Sequence, residues 1–282
     1  MSTIRWCVLS FLAVSAIPSL GLQAQTLTTL CNFEIGSDGA NPNAPLLYAD
    51  GTLYGTTLAG GFGGQGTVFK FDLGTGTKLG LHSFIPGTDG ENPTGSLIAR
   101  GRVLFGTTSG GGGGTNCLGA GCGTVFRVEE ATGAEKIVYR FAGGSDGGFP
   151  FAGVIAHDGA LYGTTGDFGG GYGTVFKFDP ATGVETKLHA FTQSDGHLPY
   201  APLIARAGAL YGTTEAGGNT GCAQEGCGTV FKLDPASGNE SMLHEFASTP
   251  DGASPVAGLV AVGGVFYGTT PWGRQSGFRH RV

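Results

Sequence analysis

The apolar residues of this chain lie in short runs separated by turns of Gly, Asp and Pro. The runs follow a repeated order, in which Leu-Tyr-Gly-Thr-Thr precedes a Gly-rich stretch and then Gly-Thr-Val-Phe-Lys. Beyond the N-terminus, no stretch long enough for a helix has apolar residues at helical spacing, so the pattern predicts short β-strands throughout. The copies lie at 53–57 with 66–70, 104–108 with 123–127, 162–165 with 173–177, and 211–214 with 228–232, and a fifth at 267–270 lacks its second half.

Two further strands flank each copy. A short apolar strand precedes it, and the Asp50-Gly51 dipeptide joins the two as a predicted hairpin. A turn such as 179–183 follows it and leads to a last strand that ends in Phe. Four strands in about 50 residues are typical of a propeller blade, so we predict an all-β chain, a β-propeller of about five four-stranded blades. An open solenoid of β-hairpins is the alternative.

The predicted mature part of the chain begins with a segment that matches the end of a repeat. Leu27–Phe33 resembles the last strand of the other units, so we expect it to close the incomplete fifth blade. Before it, Arg5 precedes the apolar run 6–17, which is too short for a membrane span, and small residues reach a cleavage site after Ala24. We therefore predict an exported protein without a membrane span in its mature part. The expected organisation is a signal peptide at 1–24 and one repeat domain at 25–282, with repeats at about 27–80, 81–137, 138–187, 188–242 and 243–282, the last truncated.

Composition narrows the possible partners. The net charge is −6 and only 13% of residues are charged, with Lys and Arg dispersed, which argues against nucleic acid as a partner. The 56 glycines recur at fixed places, so they indicate turns and not low complexity.

The paired motifs resemble the GloVer tandem-repeat family of exported bacterial proteins. That resemblance covers residues 27 to about 270 and implies a secreted or surface-held protein, usually with a C-terminal anchoring segment, and no established activity. It offers no catalytic residues to transfer. After Thr270 the chain departs from the repeat and carries Arg274, Arg279 and Arg281. We attribute this tail to a one-nucleotide frameshift, which the coding DNA would confirm or exclude.

Four cysteines stand in pairs just before Gly-Thr-Val-Phe copies. Paired cysteines in an exported chain predict two local disulfides, and a four-thiolate metal site is the alternative. Cys31 is left over and is expected to be a buried free thiol. The predicted disulfides are Cys117–Cys122 and Cys222–Cys227.

Most polar residues repeat in every unit, whereas catalysis needs different groups in one place. We therefore expect no catalytic residue, no cofactor and no metal. The aspartates of the Asp-Gly-x-x-Pro turns are interpreted as turn formers, with calcium binding as a weaker alternative. The histidines of the last strands are interpreted as packing residues. These aspartates are Asp38, Asp89, Asp146, Asp195 and Asp251, and the histidines are His82, His189 and His244.

Variable loops on a repeated scaffold favour binding. We predict a non-catalytic recognition module for an unidentified extracellular ligand, with glycans as the candidate class. The alternatives are a carbohydrate-active hydrolase and a purely structural surface protein. The candidate binding face combines the turn aspartates with loop residues that can contact a ligand: Asp38, Phe62, Asp89, Asp146, Phe149, Phe168, Tyr172, Asp195, His197, Tyr200 and Asp251.

Overall fold

The computed structural model describes two units of the chain, one up to Asn32 and one from Phe33 onward. In the first unit, residues 27–32 form no strand. The predicted signal peptide, Phe168 and the Arg-rich tail lie outside the described residues. Those are 27–33, 36–87, 89–114, 116–117, 119, 121–166, 171–218, 221–222, 225–249 and 251–273.

The second unit is built from antiparallel sheets of four strands, paired in chain order. This confirms the predicted all-β class and the four strands per repeat. Sheet 1 contains β1 (Leu47–Ala49), β2 (Thr52–Thr57), β3 (Thr67–Asp72) and β4 (Thr77–Ser83), and sheet 2 contains β5 (Ile98–Arg100), β6 (Val103–Thr108), β7 (Thr124–Glu129) and β8 (Glu135–Arg140).

The third and fourth repeats have the same order, and the fifth is shorter. Among the described residues, the fifth repeat has only two strands. Residues 27–33 form no strand, so the pairing of the chain ends stays a prediction. Sheet 3 contains β9 (Ile155–His157), β10 (Ala160–Thr165), β11 (Thr174–Phe178) and β12 (Glu185–Ala190). Sheet 4 contains β13 (Ile204–Arg206), β14 (Ala209–Thr214), β15 (Thr229–Leu233) and β16 (Glu240–Glu245), and sheet 5 contains β17 (Val260–Val262) and β18 (Val265–Tyr267).

Helical structure is nearly absent from the described part of the chain. A 3-10 turn lies at Gly144–Asp146, and no helix in that part has the length and apolar character needed to span a membrane.

The Gly of each Tyr-Gly-Thr-Thr copy lies opposite the Phe of Gly-Thr-Val-Phe. In sheet 2, Gly106 pairs with Phe126, and a Cβ added to Gly106 would lie 2.5 Å from the ring carbon Cζ. The aromatic ring therefore covers the glycine backbone, which explains why the two motifs occur together.

The hydrophobic core lies between successive sheets. At the junction of sheets 1 and 2, Phe84 meets Phe126 edge to face at 5.0 Å, and both are fully buried. The same edge-to-face contact recurs as Phe141–Phe176 and Phe191–Phe231, and Phe33 makes it with Phe69 at 4.9 Å. Each repeat thus completes its core only against its neighbour.

The repeated threonines form buried hydroxyl pairs. Thr108 Oγ1 lies 2.8 Å from Thr124 Oγ1 and also bonds the carbonyl of Gly110 at 3.0 Å. Gly90, with a φ of +110°, packs so closely on this pair that an added Cβ would lie 2.5 Å from Thr108 Oγ1. The threonines of the two motifs therefore contact one another inside each sheet. The equivalent pairs are Thr57–Thr67, Thr165–Thr174 and Thr214–Thr229.

Replacing Thr108 by Val should destabilise the protein by about 1–3 kcal/mol, because the Thr124 hydroxyl and the Gly110 carbonyl lose a buried partner while the side-chain shape is kept. Urea unfolding measures the change. Thr77→Val is the matched control, since Thr77 is an exposed residue at the start of β4. Equal losses for the two variants would show that the hydroxyl pair contributes nothing.

Candidate functional site

Each Asp-Gly-x-x-Pro turn lies beside the start of the Gly-rich loop that follows it in the chain. Glu91 bridges Gly110 in antiparallel fashion, and His197 bridges Ala216 in the same way. The turns and loops that sequence analysis assigned to one binding face are thus neighbours. The equivalent bridges are Ala40–Ala59, Gly148–Gly166 and Ala253–Trp272.

The turn aspartates accept hydrogen bonds from the strand that precedes them. Asp89 Oδ2 lies 2.8 Å from His82 Nε2, and the backbone N–H of Ile85 donates to Asp89 Oδ1 at 2.7 Å. Each aspartate except Asp38 therefore closes its turn and also fixes a His or Tyr of the preceding strand. The corresponding side-chain pairs are Asp146 with Tyr139 at 2.7 Å, Asp195 with His189 at 3.2 Å, Asp251 with His244 at 2.9 Å, and Asp38 with Lys78.

A glutamate from the next sheet faces three of these pairs, and sequence analysis missed it. Burial, followed by the charge of the neighbouring Asp89, raises the pKa of Glu135 to about 7. Burial, with a smaller contribution from Asp195, raises the pKa of Glu240 to about 7 as well. These glutamates stand four residues before the His or Tyr of their own strand, a fixed spacing that could have revealed them.

Glu185 occupies the same place at the junction of sheets 2 and 3. Burial and then the charge of Asp146 raise its pKa to about 7, while the Tyr139 hydroxyl and Lys187 act in the opposite direction. The Glu185 Oε1 atom is buried without a hydrogen-bond partner. Ionisation of this glutamate therefore places a second negative charge in a half-buried contact.

Stability should fall as pH rises from about 4.5 to about 7, because the folded state holds the Glu185 proton more tightly than the unfolded state does. The stabilisation by the Glu185 proton is complete below the pKa that this group has in the unfolded chain, and it is lost above the pKa that it has in the folded chain. Glu185→Gln should therefore be more stable than the parent at pH 8, by about 1 kcal/mol once solvent screening is allowed for, and equal to it near pH 4. Urea midpoints measured with chelator present test this. Glu225→Gln, at an exposed residue, should match the parent at both pH values.

Five half-buried aromatic residues form a surface at the loops of the third and fourth repeats. The rings of Phe149 and Phe151 stack at 6.3 Å, and Phe151 meets Tyr200 edge to face at 4.8 Å. Tyr172 contacts His197 at 5.1 Å. We call Phe149, Phe151, Tyr172, His197 and Tyr200 the aromatic surface. Phe62, by contrast, is 91% exposed in the first repeat.

Glu215 lies beside this surface. Its backbone N–H donates to the carbonyl of Leu198 at 2.9 Å, and Leu198 in turn donates to the carbonyl of Tyr172 at 3.1 Å. Burial raises the pKa of Glu215, and His197 partly offsets that effect. A carboxyl group, an imidazole and aromatic faces therefore meet at one place on the loops.

Both predicted disulfides are present, Cys117–Cys122 and Cys222–Cys227, so the four-thiolate alternative does not apply. Cys117 and Cys122 are fully buried in the core between sheets 2 and 3. Cys31 is the free thiol of the described residues, and it is half-buried where full burial was expected.

Comparison with known proteins identifies the repeat. The profile of the Gloeobacter/Verrucomicrobia repeat matches residues 16–119 and 112–278. No curated protein matches the chain in sequence.

Several solved structures are similar in fold at low sequence identity. A chain of a nidogen/laminin complex is 14% identical with a TM-score of 0.50, over 84% of this chain and 71% of that one. The extracellular domain of a putative hybrid two-component system from B. thetaiotaomicron is 12% identical with a TM-score of 0.57, over 83% of this chain and 26% of that one. A putative 6-phosphogluconolactonase from Bacteroides uniformis is 16% identical with a TM-score of 0.50, over 82% and 66%.

Proposed function

Because the chain belongs to the Gloeobacter/Verrucomicrobia repeat family, we propose that it is an exported, non-catalytic recognition module whose aromatic surface binds glycans. The aromatic surface carries this proposal, since its rings lie on loops while the repeated motifs are occupied with packing.

Export is supported by the disulfides and by the N-terminal sequence. Disulfides persist in oxidising compartments, and this chain has two. The charged residue, the apolar run and the small residues before position 25 follow the order of a secretory signal.

The proposed scaffold is a propeller whose chain ends close the ring. Four sheets pack one against the next, and the fifth is formed by β17 and β18 alone among the described residues. Phe33 contacts Phe69 as the last-strand Phe of other repeats contacts the next sheet. In this arrangement the loops of all repeats collect at one end, where a ligand can touch several of them.

Glycan recognition follows from the chemistry of the aromatic surface. Sugar rings present apolar C–H faces and many hydroxyl groups, which match flat aromatic rings beside a few polar side chains. Tyr200 and Tyr172 provide rings with hydroxyl groups, and His197 and Glu215 provide further polar groups at the same place.

A glycan array with the purified protein, run beside a hydrolysis screen on the same sugars, tests the proposal. Binding without turnover supports it. Turnover would favour the carbohydrate-active hydrolase, with Glu215 as the first carboxylate to replace. An absence of both would favour a purely structural surface protein.

A further inference from the structure

The same three positions meet at the three junctions that join sheets 1 to 4. One residue lies at the start of the last strand of a sheet, opposite Val128, Phe178 or Leu233. The second is the His or Tyr on the last strand of the preceding sheet, and the third is the Asp of the turn that follows that strand. The strand residue is Glu135, Glu185 and Glu240 in sheets 2 to 4, and Lys78 has the same position in sheet 1, opposite Phe71.

At two junctions these positions hold a His, an Asp and a Glu. In each group one ligand atom per residue lies within 4.8 Å of the others. The imidazole Nε2 already faces the carboxylate Oδ2, at 2.8 Å in one group and 3.2 Å in the other. Group A is His82, Asp89 and Glu135, and group B is His189, Asp195 and Glu240.

The glutamates of both groups have a buried oxygen that makes no hydrogen bond. Glu135 Oε1 and Glu240 Oε1 are inaccessible to solvent and have no hydrogen-bond partner. An unpaired carboxylate oxygen beside a second carboxylate is unfavourable in a half-buried place, and a cation between them would remove both costs.

Sheet 1 shows that the glutamate position accepts a positive charge. There Lys78 replaces the glutamate, and its ammonium group bonds Asp38. The chain thus supplies its own cation beside that turn aspartate. At the junction of sheets 2 and 3, Tyr139 replaces the histidine and donates to Asp146, so no imidazole is present.

We propose that group A and group B each bind one divalent transition-metal ion, of which Zn²⁺ fits best, and that each ion joins two successive sheets. One imidazole nitrogen and two carboxylate oxygens suit zinc, whereas Ca²⁺ and Mg²⁺ prefer ligand sets made of oxygen alone. Three protein ligands leave a fourth position for water. The ion needs deprotonated carboxylates and a neutral imidazole, so binding weakens in acid.

Calorimetric titration of ZnCl₂ into purified, chelator-treated and tag-free protein tests this proposal. The parent should bind two ions per chain. Glu135→Gln and Glu240→Gln should each bind one, and the double variant none. Glu185→Gln is the matched control and should still bind two. Zinc should also raise the melting temperature of the parent and not that of the double variant.

A gain of binding provides a second test. Tyr139→His places an imidazole beside Asp146 and Glu185, so this variant should bind three ions. Far-UV circular dichroism establishes that every variant is folded. Two zinc ions retained by the folded double variant, a parent that binds none, or a folded Tyr139→His chain that still binds two would each overturn the proposal.

Discussion

Replacing Phe126 by Ala should lower the free energy of unfolding by about 3–5 kcal/mol. The ring is fully buried, meets Phe84 across the junction of sheets 1 and 2, and covers the backbone of Gly106. Its removal therefore leaves a cavity that touches two sheets and exposes a glycine that has no side chain of its own. Guanidinium unfolding followed by circular dichroism measures the loss.

Phe62→Ala is the matched control, because Phe62 is 91% exposed. It should change stability by no more than about 0.5 kcal/mol. Phe126→Leu should fall between the two, since it keeps part of the ring volume. A loss below about 1 kcal/mol for Phe126→Ala would contradict the assignment of the core to the junctions between sheets.

Removing both disulfides should lower stability by about 4 kcal/mol, because each closes a short loop whose entropy in the unfolded chain contributes about 2 kcal/mol. The bridges belong to the second and fourth repeats, which sheet 3 separates in the chain, so their effects should add. The variants C117A/C122A, C222A/C227A and the quadruple variant are compared by guanidinium unfolding.

Of the two single-bridge variants, C117A/C122A should lose more. Both of its cysteines are fully buried between sheets, whereas Cys222 is half-buried. Reductant should reproduce the loss in the parent and leave the quadruple variant unchanged. A quadruple variant as stable as the parent would show that the bridges do not stabilise the native loops.

The sequence alone predicted the strands because each repeat contains the same apolar runs, separated by the same turn residues. Asp50 and Gly51 form the turn between β1 and β2, as expected for a hairpin. The two cysteine pairs form the local disulfides that their spacing suggested. These features depend on residues that are close in sequence, so comparing the copies of the repeat reveals them.

The junction groups could not be found in this way, because they depend on contacts between sheets. Glu135 belongs to sheet 2 and His82 to sheet 1, 53 positions apart in sequence, and only the packing of sheet 2 on sheet 1 brings them together. The aspartates were correctly interpreted as turn formers, yet their second role, holding the His or Tyr of the preceding strand, involves a side chain outside the turn.

The contacts among residues of the candidate binding face could be predicted only in part. Tyr172 and His197 are in contact, and Tyr200 meets Phe151, which motif spacing could not show. Phe62 has no comparable position, since it is exposed in the first repeat. The contacts between these aromatic residues depend on loops whose length and conformation differ from repeat to repeat, so the repeated motifs do not predict them.

Calorimetric titration of the strongest glycan from the array into three proteins tests the central claim most directly. These are the parent, Tyr200→Ala and Tyr48→Ala, the last at a tyrosine that is 64% exposed on β1 and outside the aromatic surface. We predict that Tyr200→Ala weakens binding about 10-fold or more, in line with the loss of one stacking ring, while Tyr48→Ala binds as the parent does. Equal affinity for all three proteins, or a loss confined to Tyr48→Ala, would contradict the account.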